Sequence, residues 1–394
     1  MTLSTQDLIK EAERCVTCGL CLPHCPTYHK TGSEADSPRG RIQLISAVAK
    51  EIIPNNARFK AHIDLCLSCR NCETVCPNGV KYGALIDSAR SMTTQHASAT
   101  QSLLSKIITT PALLRTGVRF LSYAQQFGLL RLMSQFSCAL KQKISLLPKL
   151  NRLPNWQAYY PASHTKQGEV SLFLGCISNV FDTETLRASI YVLTQLGYGV
   201  HIPKQQACCG GLARQQGDQA GSQTLLDQNN KAFRTDLPLI TIASGCGAGL
   251  KDYTDFRVQD ISDFLRQCDW QHITLQPLNQ RIVVHDPCTL RNVQQSHLAV
   301  YDLLKKIPGA DIASLKGNVQ CCGGAGAYML NQTSMAEALL SDKMTSLQEG
   351  NFNILATSNI GCAMHIGSGI KKCSLDIAVL HPVIILAKQM GFSA

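Results

Sequence analysis

Several common signatures are missing from this sequence, and each absence excludes a class of protein. No uncharged apolar run reaches the length of about eighteen residues that a membrane-spanning helix needs. The first fourteen residues contain three acids and no apolar stretch, so we expect no signal peptide and a cytoplasmic location. Signatures of flavin, nicotinamide and nucleic-acid binding are also missing, as are a nucleophile elbow and an acid–base pair.

Acidic residues are missing between positions 88 and 168, where ten basic residues occur. The whole chain has 37 basic and 27 acidic residues, so its net charge of +10 comes from this segment. The helical spacing of Leu129, Met133, Phe136 and Leu140 places these side chains on one helix face. We therefore expect residues 91–168 to be a basic helical connector that contacts an acidic partner or the inner face of the cell membrane. The alternative is that the apolar face packs on a neighbouring domain.

Cysteine, in contrast, is abundant, with nineteen in the chain. Residues 15–26 (the first motif) and 66–77 (the second motif) both have the spacing C-x2-C-x2-C-x3-C-P. In this spacing three cysteines bind one cubane cluster and the fourth binds the neighbouring cluster. We therefore predict two [4Fe–4S] clusters, with the ligands Cys15, Cys18, Cys21 and Cys76 for the first and Cys66, Cys69, Cys72 and Cys25 for the second. Zinc is the alternative metal, but zinc sites do not need a third cysteine two residues further on.

The sequence around the two motifs predicts helices. Ser4 caps a helix that leads into the first motif, and Ser37 with Pro38 starts another helix. Residues 1–90 therefore resemble the α-helical ferredoxin domains of respiratory dehydrogenase subunits, for which the run Ser-Pro-Arg-Gly-Arg is typical. Two interpretations remain open for Arg39 and Arg41 in that run. These arginines either serve the packing of the domain or adjust the reduction potential of a cluster.

Residues 169–394 contain an internal repeat, which we divide into a first repeat (169–280) and a second repeat (281–394). Each repeat has a single cysteine, a Cys-Cys-Gly-Gly run and a further cysteine, and these recur 112 to 116 residues apart. Short apolar strands precede the cysteines and alternate with helices, which predicts parallel α/β units. Ligands gather at the carboxyl ends of such strands, so the thiols of each repeat should meet. These thiols are Cys176, Cys208, Cys209 and Cys246 in the first repeat, and Cys288, Cys321, Cys322 and Cys362 in the second.

The tandem Cys-Cys-Gly run is typical of the heterodisulfide-reductase-like family. With a dicluster domain in front, the chain resembles the family of glycolate oxidase iron–sulfur subunits. The resemblance includes the His-Asp-Pro-Cys run at 285–288 and the closing His381 and Pro382. It implies a fold in which an α-helical ferredoxin-like dicluster domain precedes two tandem α/β repeat domains.

This resemblance also implies a function. The chain would be the electron-transfer subunit of a flavin-dependent 2-hydroxyacid oxidoreductase, which converts glycolate and an acceptor to glyoxylate and reduced acceptor. Oxidation of an alcohol removes two electrons as a hydride, usually to a flavin. We therefore expect FAD on a flavoprotein partner and not on this chain, a quinone-type acceptor, and no activity of the chain alone.

Three other functions remain open at this stage. The iron–sulfur subunit of anaerobic glycerol-3-phosphate dehydrogenase has the same order of domains. A heterodisulfide-reductase-like catalytic subunit would reduce a disulfide or a quinone in the repeats themselves. A cluster-based sensor is the third alternative, although the sequence has no recognisable effector motif.

The repeats depart from the full Cys-Cys-Gly pattern, which ends in C-x2-C and supplies five thiolates. The fifth position holds Gly249 in the first repeat and His365 in the second. The four thiols of each repeat, together with His365, are therefore candidate ligands of a further iron–sulfur cluster. The alternative is that one or both repeats hold no metal and keep their cysteines for structure. We expect His285, at the end of a predicted strand, to form a hydrogen bond and not to act as a catalytic base.

Overall fold

The computed structural model describes residues 3–93, 110–127, 129, 144 and 153–393. The dicluster domain, residues 3–93 of this structure, is built from helices and tight turns. Its helices are Thr5–Glu13, Pro26–Thr31, Pro38–Ala49, Ala57–Asp64, Asn71–Thr74 and Tyr82–Met92, with 3₁₀ turns at Leu22–His24 and Glu34–Asp36.

Side-chain caps start the helices that lead to and from the motifs. The Ser4 hydroxyl accepts a hydrogen bond from the Asp7 amide at 3.2 Å, and the Ser37 hydroxyl accepts one from the Gly40 amide at 3.0 Å. Both starts agree with the sequence prediction, because serine at these positions satisfies an otherwise unpaired amide of the first turn. The apolar faces of the helices meet in a small core that also contains cysteines of both motifs.

Nine strands in the described residues form two sheets, and in order β1 to β9 they are Tyr159–Tyr160, Gly168–Phe173, Tyr198–His201, Leu239–Thr241, Val258–Asp260, Arg281–His285, Asp311–Ser314, Ile354–Thr357 and Ala378–Leu380. The second sheet lies in the second repeat, whereas the first sheet combines the strands of the first repeat with β1 from the end of the segment predicted as connector. The first sheet has the order β1-β3-β2-β4-β5 and the second has the order β7-β6-β8-β9. All neighbouring strands are parallel except β1, which pairs antiparallel with β3. The predicted class of parallel α/β repeats is confirmed.

Helices connect the strands in both repeats. In the first repeat they are Ser178–Phe181, Thr183–Gln195, Gly211–Gln215, Gln219–Ala232, Ser244–Tyr253 and Ile261–Gln267. In the second they are Leu298–Leu304, Tyr328–Asn331, Thr333–Gln348, Ile360–Lys372 and Pro382–Gln389, with a π-helical turn at Leu290–Gln294.

The two repeats share one apolar core, to which strands and helices of both sheets contribute. The helix Pro382–Gln389 of the second repeat packs against Thr183–Gln195 of the first. His381 caps that helix by accepting the Val383 amide at Nδ1, and its Nε2 donates to the Ile242 carbonyl at 3.0 Å. Burial lowers the pKa of His381 to about 4, so this imidazole is neutral and can serve both partners at once. This hydrogen bond joins the residue after β9 in the second repeat to the residue after β4 in the first.

The connector is described only in part. The helix Pro111–Gln126 packs Leu114 and Val118 against Val180 of the first repeat. The predicted helix face of Met133, Phe136 and Leu140 lies outside the described residues. None of the described helices is both long enough and apolar enough to cross a membrane.

The structure describes four of the ten cations counted in this segment, and three of these have partners within the chain. Arg115 donates to the Pro154 carbonyl at 3.1 Å. Arg90 is buried and donates to the Cys66 carbonyl at 2.7 Å. Lys166 pairs with Glu169, the first acid beyond the segment, at 2.6 Å. The charge available for a partner is therefore smaller than the sequence count, because Arg90 belongs to the interior of the dicluster domain.

Candidate iron–sulfur centres

The eight motif cysteines line two neighbouring cavities in the dicluster domain. The first cavity is lined by Cys15, Cys18, Cys21 and Cys76. The second is lined by Cys25, Cys66, Cys69 and Cys72. Each cavity thus contains the four thiols that the spacing predicts for one cluster, with the last cysteine of each motif in the cavity of the other motif. Cys72 of the second set also reaches the first cavity. Pro38, Cys72 and Tyr82 line both cavities and form the wall between them.

The backbone of the two motifs has the same unusual conformation. Thr17 and Ser68, each just before the second cysteine of its motif, have φ of 56° and 52°, and Gly19 and Arg70, just after it, have φ of 83° and 58°. Such left-handed residues cost about 1–3 kcal/mol each when they are not glycine. The turns aim amide groups at the sulfurs, as the Ser68 amide does towards Cys66 Sγ at 3.4 Å. Inward-facing amides of this kind form concave anion sites, which suits the negative sulfurs of an iron–sulfur cluster.

The thiols of the second cavity are difficult to ionise without a cation beside them. Burial, followed by repulsion from neighbouring thiolates, raises the pKa of Cys69 and Cys72 well above the usual range of a thiol. Four thiols that meet in an apolar site can become thiolates only if positive charge is bound there. The donor set and its surroundings therefore fit an iron–sulfur cluster in each cavity.

Two arginines lie close to the predicted ligands and form different contacts there. Arg39 donates to the Thr17 carbonyl at 3.0 Å and pairs with Glu34 at 2.7 Å. Arg41 is fully buried and donates to Thr27 Oγ1 at 3.1 Å, and that hydroxyl lies 3.3 Å from Cys25 Sγ. Arg39 thus supports the backbone of the first motif, whereas Arg41 brings a buried positive charge close to a predicted ligand of the second cluster.

The second cavity abuts the second repeat. Asn292 donates to the Cys69 carbonyl at 2.7 Å, and the Tyr328 hydroxyl donates to the Leu65 carbonyl at 2.9 Å. Repulsion from a Cys288 thiolate is the largest charge effect on the pKa of Cys69, after burial. Cys69 and Cys288 therefore lie within electrostatic range of one another, although they belong to different domains.

The four thiols of the second repeat converge at the carboxyl ends of its strands, as predicted. Cys288 Sγ and Cys321 Sγ are 3.9 Å apart. A ring nitrogen of His285 and the sulfurs of Cys322 and Cys362 lie within 4.8 Å of one another. Hydrogen bonds from the Cys321 and Cys362 thiols lower the pKa of the Cys322 thiol well below its usual range, against the effect of burial. The sequence predicted His285 at a strand end as a hydrogen-bonding residue, and it does bond Thr357 Oγ1 at 3.0 Å.

His365 occupies the fifth position of the second repeat but is engaged elsewhere. It is buried on the helix Ile360–Lys372, where its Nε2 donates to the Ala336 carbonyl at 3.2 Å. Its Nδ1 has no hydrogen-bond partner in the described part of the chain. Within that part, the group of mutually close ligand atoms contains His285 and does not contain His365.

The thiols of the first repeat also converge. Cys176 Sγ and Cys208 Sγ are 3.4 Å apart. Hydrogen bonds from the Cys208 and Cys246 thiols lower the pKa of the Cys209 thiol well below its usual range, and the charge of Arg214 acts in the same direction. In both repeats, therefore, neighbouring thiols lower the pKa of the second cysteine of the Cys-Cys pair.

Arg214 fills the place of the missing fifth ligand in the first repeat, a role that sequence reasoning missed. A Cβ built on Gly249 would clash with Arg214 Nη2, so a side chain at this position would displace the guanidinium group. Arg214 is held by Ser222 Oγ at 2.9 Å and by the ring of Tyr253, whose centroid is 4.3 Å from Cζ. A fixed positive charge thus stands where the five-ligand pattern has a thiolate. The signal in the sequence was a lone arginine shortly after the Cys-Cys-Gly-Gly run.

Known proteins match the chain in the same three parts. Residues 11–80 match the 4Fe-4S dicluster domain family, and residues 170–251 and 282–367 match the Cysteine-rich domain family. The chain is 30% identical to the probable glycolate oxidase iron-sulfur subunit of Bacillus subtilis, over 97% of this chain and 94% of that protein. It is 31% identical to the glycolate oxidase iron-sulfur subunit of Escherichia coli, over 90% and 89%. It is also 26% identical to a lactate utilization protein of Bacillus cereus, over 57% of this chain and 99% of that protein.

Proposed function

The chain belongs to the family of glycolate oxidase iron–sulfur subunits, and we propose that it relays electrons from a flavoprotein subunit to a quinone-type acceptor. The flavoprotein would oxidise a 2-hydroxyacid of the glycolate class. A [4Fe–4S] cluster exchanges single electrons, whereas the flavin takes the two electrons of the alcohol, so each partner supplies chemistry that the other lacks. In this proposal the ligands are the eight motif cysteines, in the two sets that line the cavities.

The observation that carries the proposal is the unbroken row of cysteine sites. The first and second cavities share the wall formed by Pro38, Cys72 and Tyr82. Beyond the second cavity, Cys69 packs in one apolar cluster with Cys321 of the second repeat, and Cys288 packs against that cluster. Adjacent redox sites without intervening solvent are what an electron relay requires.

The solvent exposure of the cysteine sites suggests the direction in which electrons move along this row. Cys18 is exposed, and beside it Val16 and Leu20 have 63% and 56% of their surface accessible. The cysteines of the second cavity are buried. We therefore assign electron entry from the flavoprotein to the first motif, and electron exit to the repeats by way of the second cavity. The thiols of the second repeat, next to that cavity, would hold a further iron–sulfur centre.

Reconstitution with the partner tests this proposal. The chain alone should not reduce a dye with glycolate or lactate, because no flavin site is predicted in it. Co-purified flavoprotein should restore turnover and transfer electrons through this chain to a water-soluble quinone. Oxidation of a hydroxyacid by the isolated chain would refute the relay. A co-purified partner that oxidises glycerol 3-phosphate instead would favour the alternative dehydrogenase.

The proposal includes a membrane contact through the connector. On the helix Pro111–Gln126, the face that carries Leu113 and Phe120 points to solvent, opposite the face that packs on the first repeat. The seven-residue spacing between these two exposed side chains places them on one stripe, and Arg119 is exposed beside them. An apolar stripe flanked by cations is the pattern of a helix that lies on an anionic membrane.

Vesicle sedimentation tests the contact. We expect the chain to bind anionic vesicles, to release them in high salt, and to lose most binding in a Phe120→Gln and Arg119→Gln double variant. Each cation near an anionic surface contributes about 1 kcal/mol, so one arginine and one buried aromatic ring are a large part of reversible attachment. A matched variant is Lys166→Gln, which removes a cation already paired with Glu169 and should bind normally. Binding that is equal for neutral vesicles, or unchanged in the double variant, would contradict the membrane assignment.

A further inference from the structure

We propose that His285 is a metal ligand of the second repeat, bonding iron through Nε2 beside the thiolates of Cys322 and Cys362. This inference rests on the proposed function for the identity of the metal as iron in an iron–sulfur centre. Its geometric basis is that a His285 ring nitrogen and the two sulfurs lie within 4.8 Å of one another. All three residues are buried, so water does not compete for the site. The imidazole would supply the fifth ligand that the sequence lacks at the usual position.

The strand register orients the ring for this role. His285 on β6 pairs with Thr357 on β8, and its Nδ1 lies 3.0 Å from Thr357 Oγ1. With Nδ1–H donating to the hydroxyl, Nε2 keeps its lone pair and is the nitrogen left for a metal. Histidine ligands in metal sites are oriented in this way, by a second hydrogen bond from the nitrogen that does not bind the metal.

His365 has the expected spacing but not the expected geometry. Its Nε2 is committed to the Ala336 carbonyl. Among the residues that the structure describes, it does not join the close group formed by His285, Cys322 and Cys362. Spacing along the helix therefore points to His365, whereas the fold brings the neighbouring strand's histidine to the thiols.

The first repeat provides an internal comparison. Phe173, three residues before Cys176, stands where His285 stands three residues before Cys288. The first repeat thus has an apolar ring at the strand end and the Arg214 guanidinium near its thiols. Within the described residues, the second repeat and not the first combines four thiols with an imidazole close to them, and its Cys321 packs with Cys69 of the second cavity.

An imidazole in place of a thiolate changes the centre by one unit of charge. A neutral nitrogen ligand leaves the metal centre less negative, which favours its reduced state, as the histidine ligands of Rieske centres do. The second repeat would therefore attract electrons from the second cavity, in the direction that the relay requires.

Pulsed electron paramagnetic resonance on the full chain tests the assignment. The chain would be prepared anaerobically with ¹⁵N-labelled histidine, and the reduced protein examined for nitrogen coupling together with its iron and sulfide content. The wild-type protein should show one strongly coupled histidine nitrogen. His285→Gln should lose this coupling and part of the iron, while the signals of the dicluster domain remain as the control for folding.

Two further variants separate ligation from structure. His285→Cys should lose the nitrogen coupling yet keep its iron, because a thiolate replaces the imidazole. His365→Gln should keep both. Coupling that survives in His285→Gln, coupling that disappears in His365→Gln, or zinc in the second repeat would overturn the proposal. If the wild-type protein shows the nitrogen coupling but no flavoprotein reduces it, the relay is refuted and the ligand assignment stands. Failure of the ligand assignment can therefore be distinguished from failure of the relay.

Discussion

Cys72→Ser should abolish electron transfer from the flavoprotein to the quinone while leaving reduction of a small dye by the flavoprotein itself intact. Cys72 is buried and lines both cavities, so its loss would remove a proposed ligand of the second cluster and disturb the wall next to the first cavity. Serine is a poor substitute, because its hydroxyl does not ionise to a soft ligand for iron. Changes at residues that only orient a ligand cost about 10–100-fold, and loss of a ligand in a serial relay should cost at least that much.

Iron analysis and turnover check this result together. The two proposed cubanes would bring about eight irons, of which about four should be missing in the variant. The matched control is Cys268→Ser, in which the exchanged thiol is half-buried, donates to the Phe264 carbonyl and lines neither cavity. This control should retain full iron content and full turnover. Quinone-linked turnover that persists in Cys72→Ser would mean that electrons bypass the second cavity.

The sequence was most informative where chemistry depends on local spacing. The two motifs predicted which cysteines come together at each cavity, because three close cysteines and a displaced fourth have few uses other than binding paired clusters. Ser4 and Ser37 predicted two helix starts, because a hydroxyl at that position satisfies a free amide. The short apolar runs before Cys176 and Cys288 predicted strands, whose carboxyl ends then had to carry those thiols.

Features that depend on contacts between distant segments could not be predicted. His285 and Cys362 are far apart in sequence and meet only because β6 and β8 are neighbours in the sheet. Arg214 enters the space beside Gly249 from another helix, which no spacing rule describes. The C-x2-C spacing indicated His365, because the spacing describes positions along one helix. It contains no information about the neighbouring strand, which carries His285.

The same limit applies to the arrangement of domains. The hydrogen bond from Asn292 to the Cys69 carbonyl brings the second motif to the second repeat, although more than two hundred residues separate them. Arg90 is one of the ten cations between positions 88 and 168, yet it donates to the Cys66 carbonyl inside the dicluster domain. A charge count assumes exposure, and only the folded chain shows which charges face solvent.

Replacing Val16 by Asn and Leu20 by Gln should weaken binding of the flavoprotein strongly without loss of iron. Both side chains are exposed and apolar beside the exposed Cys18, a combination that is costly unless a partner covers it. Apolar anchors at the centre of an interface contribute about 2 kcal/mol or more, which corresponds to about a 30-fold rise in Kd. The uncharged replacements keep the electrostatic field at the first cavity unchanged, so an effect on turnover reports docking and not cluster potential.

Titration of the flavoprotein with the variant chain measures this change directly. The half-saturating concentration of the chain for quinone-linked turnover should rise, while turnover at saturation stays close to that of the wild-type protein. Ile52→Gln is the matched control, because Ile52 is 71% exposed in the same domain but lines neither cavity. Equal effects of Ile52→Gln and the double variant would show that general surface polarity and not a docking site is responsible. If the half-saturating concentration does not change in the double variant, the flavoprotein does not cover these apolar side chains. Electron entry at the first motif would then be refuted.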